Sequence, residues 1–271
     1  MLKKWRQTII FFMILVGSAI STKVFAIPLL KVETQPIIQA QKCLKAEQQA
    51  CYQVDIQTIK TNIEWINHYF EEAIRKQLKL DEVAVIPENW SEKDQKNLSL
   101  AELKQNYLAE LSGLMQQEFA PFGYFQFYRP RFFAQNQALA MFVEDFYLFS
   151  GGAHGYGSTN YLNFDLKLGK KLTVDDLLLP DQKDGLLEKL SQAYAQYLST
   201  KAEDNSSEGY SVDIIDNFTF TTDSLVFSYP PYYLGSYAEG TIVLSIPYTE
   251  LIGILKPAYL FGTTQIRSDF L

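Results

Sequence analysis

The stretch GYFQFYRPRFFAQNQALAMFVEDFYLF, residues 123–149, leaves the chain few choices. Aromatic residues fill it, and these suit a pleated, half-buried surface better than a helix. The turn-like AQNQ interrupts the run in its middle. The pattern predicts a hairpin with strands over roughly 124–133 and 138–149. NYLNFDLKLGKKLTV then continues as a strand, a tight turn at Leu168-Gly169 and a second strand. A chain built on consecutive hairpins must be organised by antiparallel sheet.

Two more strands are expected between Ile27 and Lys60. In CYQVDIQTIK, Tyr52, Val54, Ile56 and Thr58 alternate with more polar neighbours at period two. Two helices follow as a block. TNIE at 61–64 has the capping-box pattern, Thr61 with Glu64, and Ile63, Ile66, Phe70, Ile74 and Leu78 share one helical face. His68 lies on the far side among carboxylates, as a solvated residue would. SLAE at 99–102 opens a helix with Leu100, Leu103, Tyr107, Leu111 and Leu114 inward, ending before Pro121. Residues 81–98 between them read as a connecting loop.

Downstream of the hairpins, a short helical turn is expected over Thr173 to Leu179. A fuller helix over Asp181 to Ser199 carries Leu186, Leu187, Leu190, Tyr194 and Tyr197 inward. Residues 201–211 read as a flexible loop. FTFTTDSLVFSY (218–229) reads as a hairpin, IVLSIPY (242–248) as a strand, and 249–255 as a short helix. Helices and strands in blocks indicate an α+β fold, antiparallel sheets with flanking helices in two subdomains. The expected division is 27–122, 123–257 and a tail at 258–271.

The first 26 residues are read as a signal peptide. Lys3, Lys4 and Arg6 precede an apolar run from Thr8 to Ile20, and Val24 and Ala26 stand at the −3 and −1 positions of a cleavage site. The alternative is an uncleaved membrane anchor. The run is short for a span, and no later segment is apolar enough for one, so no stable membrane span is expected after cleavage. The expected location is periplasmic or secreted. Without the leader's four basic residues, 20 of the 24 remain against 31 acidic ones, a net charge of −11. That excess argues against nucleic acid as a partner and favours cationic ones. Cys43 and Cys51 flank LKAEQQA between the first two strands, where an exported chain would form a disulfide.

Two segments then resemble a known family. FSGGAHGYGSTNYLNFDLKLGKKLTVDDLL (149–178) is similar to the signature of the RsiV-type extracellular domain. This domain belongs to the anti-sigma factor RsiV and also precedes the catalytic part of the peptidoglycan deacetylase PdaC. Leu168-Gly169-Lys170 stands where the family usually has threonine-glycine-lysine. VFSYPPYYLGSYAEGTIVLSIPYTEL (226–251) resembles the family's closing segment, and the resemblance spans about 140–257. It implies a binding or sensing module without the sigma-binding and deacetylase parts of those proteins. The partner it implies is a lysozyme-like cationic protein or a peptidoglycan fragment.

The residues expected to bind are Gly151, Gly152, His154, Tyr156, Tyr232, Tyr233 and Tyr237. The glycines permit a sharp turn, and tyrosines beside Pro230-Pro231 offer large contact area at small entropic cost. The alternative is an enzyme on envelope glycan with Ser150 as nucleophile, His154 as base and Asp165 to orient it; Asp145 is a second choice for the orienting acid. No G-x-S-x-G elbow supports it. With two histidines in the chain and no ligand spacing, neither a metal nor a cofactor is expected.

Overall fold

The computed structural model describes residues 27, 29–45, 50–79, 98–116, 123–201 and 209–261. The expected leader, most of the 81–98 loop and 202–208 of the flexible loop lie outside these residues.

The fold is α+β. Six strands, β1 (Val32–Lys45), β2 (Ala50–Thr61), β3 (Gly123–Asn136), β4 (Leu139–Phe149), β5 (Tyr156–Asp165) and β6 (Lys170–Lys171), form one sheet in sequence order. All neighbours are antiparallel except β2 and β3, which run parallel from Cys51–Gly123 to Ile56–Tyr128. Between those two strands the chain forms α1 (Glu64–Gln77) and α2 (Leu100–Leu114), which supply the length that a parallel crossover needs. One sheet thus holds strands from both the 27–122 and the 123–257 parts of the chain.

The central hairpin is longer than the sequence pattern implies. A bulge between Phe132 and Ala134 lets β3 continue to Asn136, and the turn narrows to Gln137 and Ala138, with Gln137 at φ 51°. Cys43 and Cys51 are register partners, with Cα atoms 4.0 Å apart, and are joined by a disulfide.

One face of the sheet is covered by the helices. Tyr52, Val54, Ile56, Tyr124 and Tyr128 meet Ile74, Leu103, Tyr107 and Leu111. Phe142, Phe164 and Leu162 meet Ile66 and Phe70 in an adjoining cluster. Ser99 and Glu102 cap α2 reciprocally, as SLAE predicts. The box expected at TNIE does not form. The Asn67 carboxamide takes the Thr61 N–H and hydroxyl instead, and Ile63 occupies the N-cap.

The remaining elements are α3 (Val174–Leu177), α4 (Lys183–Ser199) and a second antiparallel sheet of β7 (Phe218–Phe220), β8 (Ser224–Tyr229) and β9 (Ile242–Pro247). Leu186, Leu190 and Tyr194 of α4 pack on Phe227, Leu244 and Ile246, and this core reaches Leu139 and Met141 on the second face of the large sheet. Tyr259 and Leu260 are buried in the same cluster. The helix expected over 249–255 does not form. A 3-10 turn at Tyr248–Glu250 gives way to Gly253 at φ 83°, and Leu255 bridges to Leu178. The positive φ breaks the helical repeat before a second turn can form.

Candidate functional site

The loops at 150–155 and 230–240 meet over the end of β5, and the signature residues bring them together. Gly151 and Gly152 have φ of 104° and 91°, so the chain leaving β4 takes a path closed to other residues. It delivers His154 to a position where its ring stacks on Tyr237, with centroids 3.8 Å apart and planes 18° from parallel. The Gly155 carbonyl accepts the Tyr237 hydroxyl at 2.8 Å and faces His154 Nδ1 at 3.2 Å. A carbonyl can only accept, so Nδ1 carries the proton and Nε2 accepts from the Tyr232 hydroxyl at 3.3 Å. Tyr232 has φ 70°, unusual for a residue with a side chain, and is 54% exposed. Its ring lies 5.5 Å from that of Tyr237. The result is an exposed patch of three rings held by contacts between two distant loops.

Gly155 is glycine because the rest of the site sits on it. A Cβ there would enter the Tyr147 ring and lie 2.9 Å from the Leu148 carbonyl. Tyr147 in turn stacks on Phe127 across the β3–β4 pair, at 6.0 Å.

The other expected residues separate. Tyr233 lies against buried Tyr229, with centroids 5.4 Å apart, and the Tyr229 hydroxyl donates to the Asp213 carbonyl. Tyr156 is the register partner of Leu148, whose side chain joins the helix-side core, so Tyr156 shares that face of the sheet and is not among the ring contacts of His154, Tyr232 and Tyr237. Ser150 follows the last residue of β4 and is not a partner of the His154 ring. Asp165 closes β5 at its far end, nine residues beyond Tyr156, or about 30 Å along an extended strand. There it accepts the N–H groups of Lys167 and Leu168 in the turn. Asp145 is taken by Arg131 and Thr159. The serine, histidine and aspartate of the enzyme reading are therefore not assembled. His68 is exposed on α1. Among the described residues, no three His, Cys, Asp or Glu side chains converge as a metal site would require.

Sequence reasoning missed Glu144, a buried carboxylate. It sits on the helix side of β4 and accepts the Tyr128 hydroxyl. Burial pushes its carboxyl up, partly offset by Tyr128, Lys171 and Lys76. Period-two alternation over VEDF held the signal, because one of the adjacent pair Glu144 and Asp145 had to face inward.

Residues 175–249 match the model of the family described as Protein of unknown function (DUF3298). No curated protein sequence matches the chain. Among solved structures, a DUF3298 family protein from Pseudomonas aeruginosa superposes with a TM-score of 0.66 at 24% identity, over 88% of this chain and 99% of that one. A DUF3298 family member from Bacteroides fragilis does so with a TM-score of 0.61 at 15% identity, over 87% and 99%. No helix among the described residues is long and apolar enough to cross a membrane, and the disulfide fits an oxidising compartment. The chain therefore carries a DUF3298-type segment at residues 175–249, and its fold is the one seen in solved DUF3298 family proteins.

Proposed function

We propose that the chain is an exported, non-enzymatic binding module of the cell envelope, and that the 150–155 and 230–240 loops are its binding face. The observation that carries this reading is the His154–Tyr237 stack, which holds Tyr232 outward at an unfavourable φ. A ring pre-positioned this way loses little conformational freedom when a partner covers it. The resemblance to the RsiV-type domain makes a lysozyme-like cationic protein the first partner, with a peptidoglycan fragment second. The acidic balance of the chain favours the cationic partner independently.

The test is titration calorimetry of the protein, residues 27–271, with a basic lysozyme at low and at higher salt. Saturable binding that survives screening, and that weakens in Tyr232→Ala, supports a specific interface. Heat that disappears with salt would leave only diffuse charge attraction. His154→Ala separates binder from enzyme, since a binder keeps its fold and part of its affinity whereas a catalyst loses all turnover.

A further inference from the structure

The helix α4 shows a second row beside its buried stripe. Lys189, Gln192, Ala193 and Gln196 follow one another at helical spacing and look over the rim of the small sheet. Opposite them stand Asp223 and Ser224 at the start of β8 and Ser245 to Pro247 at the end of β9. A groove of about 570 Å³ lies between the two walls, within the range that small-molecule sites occupy.

Its charges are already arranged. Lys189 Nζ lies 3.3 Å from both Gln192 Oε1 and Glu250 Oε2, so the groove's cation is taken at one end. Asp223 Oδ1 accepts the hydroxyls of Thr221 and Ser224 at 3.0 and 2.8 Å, which fixes the orientation of the carboxylate. These hydroxyls also hold its carboxyl below the usual range. Among the described residues, Asp223 Oδ2, the Gln196 carboxamide and the Ser245 hydroxyl have no side-chain partner.

The unengaged side-chain groups are one oxygen each of the Asp223 and Glu250 carboxylates, the Gln196 carboxamide and the Ser245 hydroxyl, beside the apolar surface of Ala193 and Pro247. An anionic ligand would find no unpaired cation, and a cationic one would find the Glu250 carboxylate already paired with Lys189. Sugar hydroxyls both donate and accept, and so match a carboxylate and carboxamide side by side. We propose that the groove between α4 and the β8–β9 pair binds a short uncharged oligosaccharide. This site is separate from the His154 loops and does not depend on what they bind.

The test is calorimetric titration of the protein with two uncharged trisaccharides, chitotriose and maltotriose, and with trilysine as a charged comparison. The expected result is saturable, salt-independent binding of at least one sugar, weakened about tenfold or more in Gln196→Ala and in Asp223→Asn. Both positions are exposed and Asn keeps an acceptor for the hydroxyls, so both variants should melt as the parent does. The proposal is overturned if neither sugar saturates, or if trilysine alone binds in a salt-dependent way. It is equally overturned if sugar binding is lost in Tyr232→Ala but kept in both groove variants, which would put the sugar on the loops.

Discussion

The side chain of Asn217 takes the backbone N–H of Tyr161 at 2.8 Å, standing in for a neighbouring strand at the open edge of β5. The same carboxamide donates to the carbonyls of Thr159 and Ser228, at 2.9 and 2.7 Å. One residue therefore ties the large sheet to the small one, and with them the two loops that carry His154 and Tyr237. Asn217→Ala leaves three backbone groups short of a partner. The expected cost is roughly 2–3 kcal/mol, or a fall in Tm of about 5–10 °C, read by thermal unfolding. An unchanged Tm would mean that water replaces the carboxamide fully.

Gly155 and Gly157 make a matched pair. At Gly155 a methyl group would enter the Tyr147 ring, whereas at Gly157 its nearest neighbours are at 3.4 and 3.5 Å, ordinary contacts. Gly155→Ala should cost about 1–3 kcal/mol and Gly157→Ala less than about 1 kcal/mol. Urea unfolding of both variants checks the difference, and equal losses would remove the special role given to the Tyr147–Gly155 contact.

Glu144 gives the stability of the protein a pH dependence of known sign. Burial raises its carboxyl above the ordinary 4.5, so the folded state holds this proton more tightly than the unfolded chain. Its contribution is therefore most favourable in acid and declines as pH rises from the unfolded value through the raised folded one. Glu144→Gln removes the titration and keeps an acceptor for the Tyr128 hydroxyl. Relative to the parent, the variant should gain stability between pH 4 and pH 7 in urea unfolding. A difference that stays constant with pH would show that Lys171 and Lys76 offset the burial completely.

The Cys43–Cys51 disulfide closes a short loop at the end of the β1–β2 hairpin, with a sequence separation of 8. Replacing both cysteines by serine should cost about 2–3 kcal/mol through the freed unfolded chain. Denaturation of the parent with and without reductant should reproduce that loss, and no difference between them would assign the bond no role in stability.

Much of this architecture was legible in local pattern. SLAE marks the capped start of α2, and the inward faces of α1 and α2 follow the helical period. The hairpins follow from period two and from turn residues. The TNIE box failed because a nearby competitor, Asn67, offers Thr61 a better partner, which spacing alone does not reveal. The helix expected at 249–255 stops at Gly253, which takes φ 83°, and Leu255 beyond it bridges to Leu178, a residue outside any local window.

The site divides along the same line. By itself the sequence determined the α+β class, the cysteine pair, the sharp turn at Gly151-Gly152 and the ring-rich loop, because each depends on neighbours a few residues apart. Long-range packing alone set the parallel pairing of β2 with β3, the burial of Glu144, the meeting of His154 with Tyr237, and the position of Asp165 at the wrong end of β5 to orient His154. Those outcomes depend on which distant surfaces pack together, and the free energy that chooses them is spread over whole sheet faces instead of being written in any one stretch of chain.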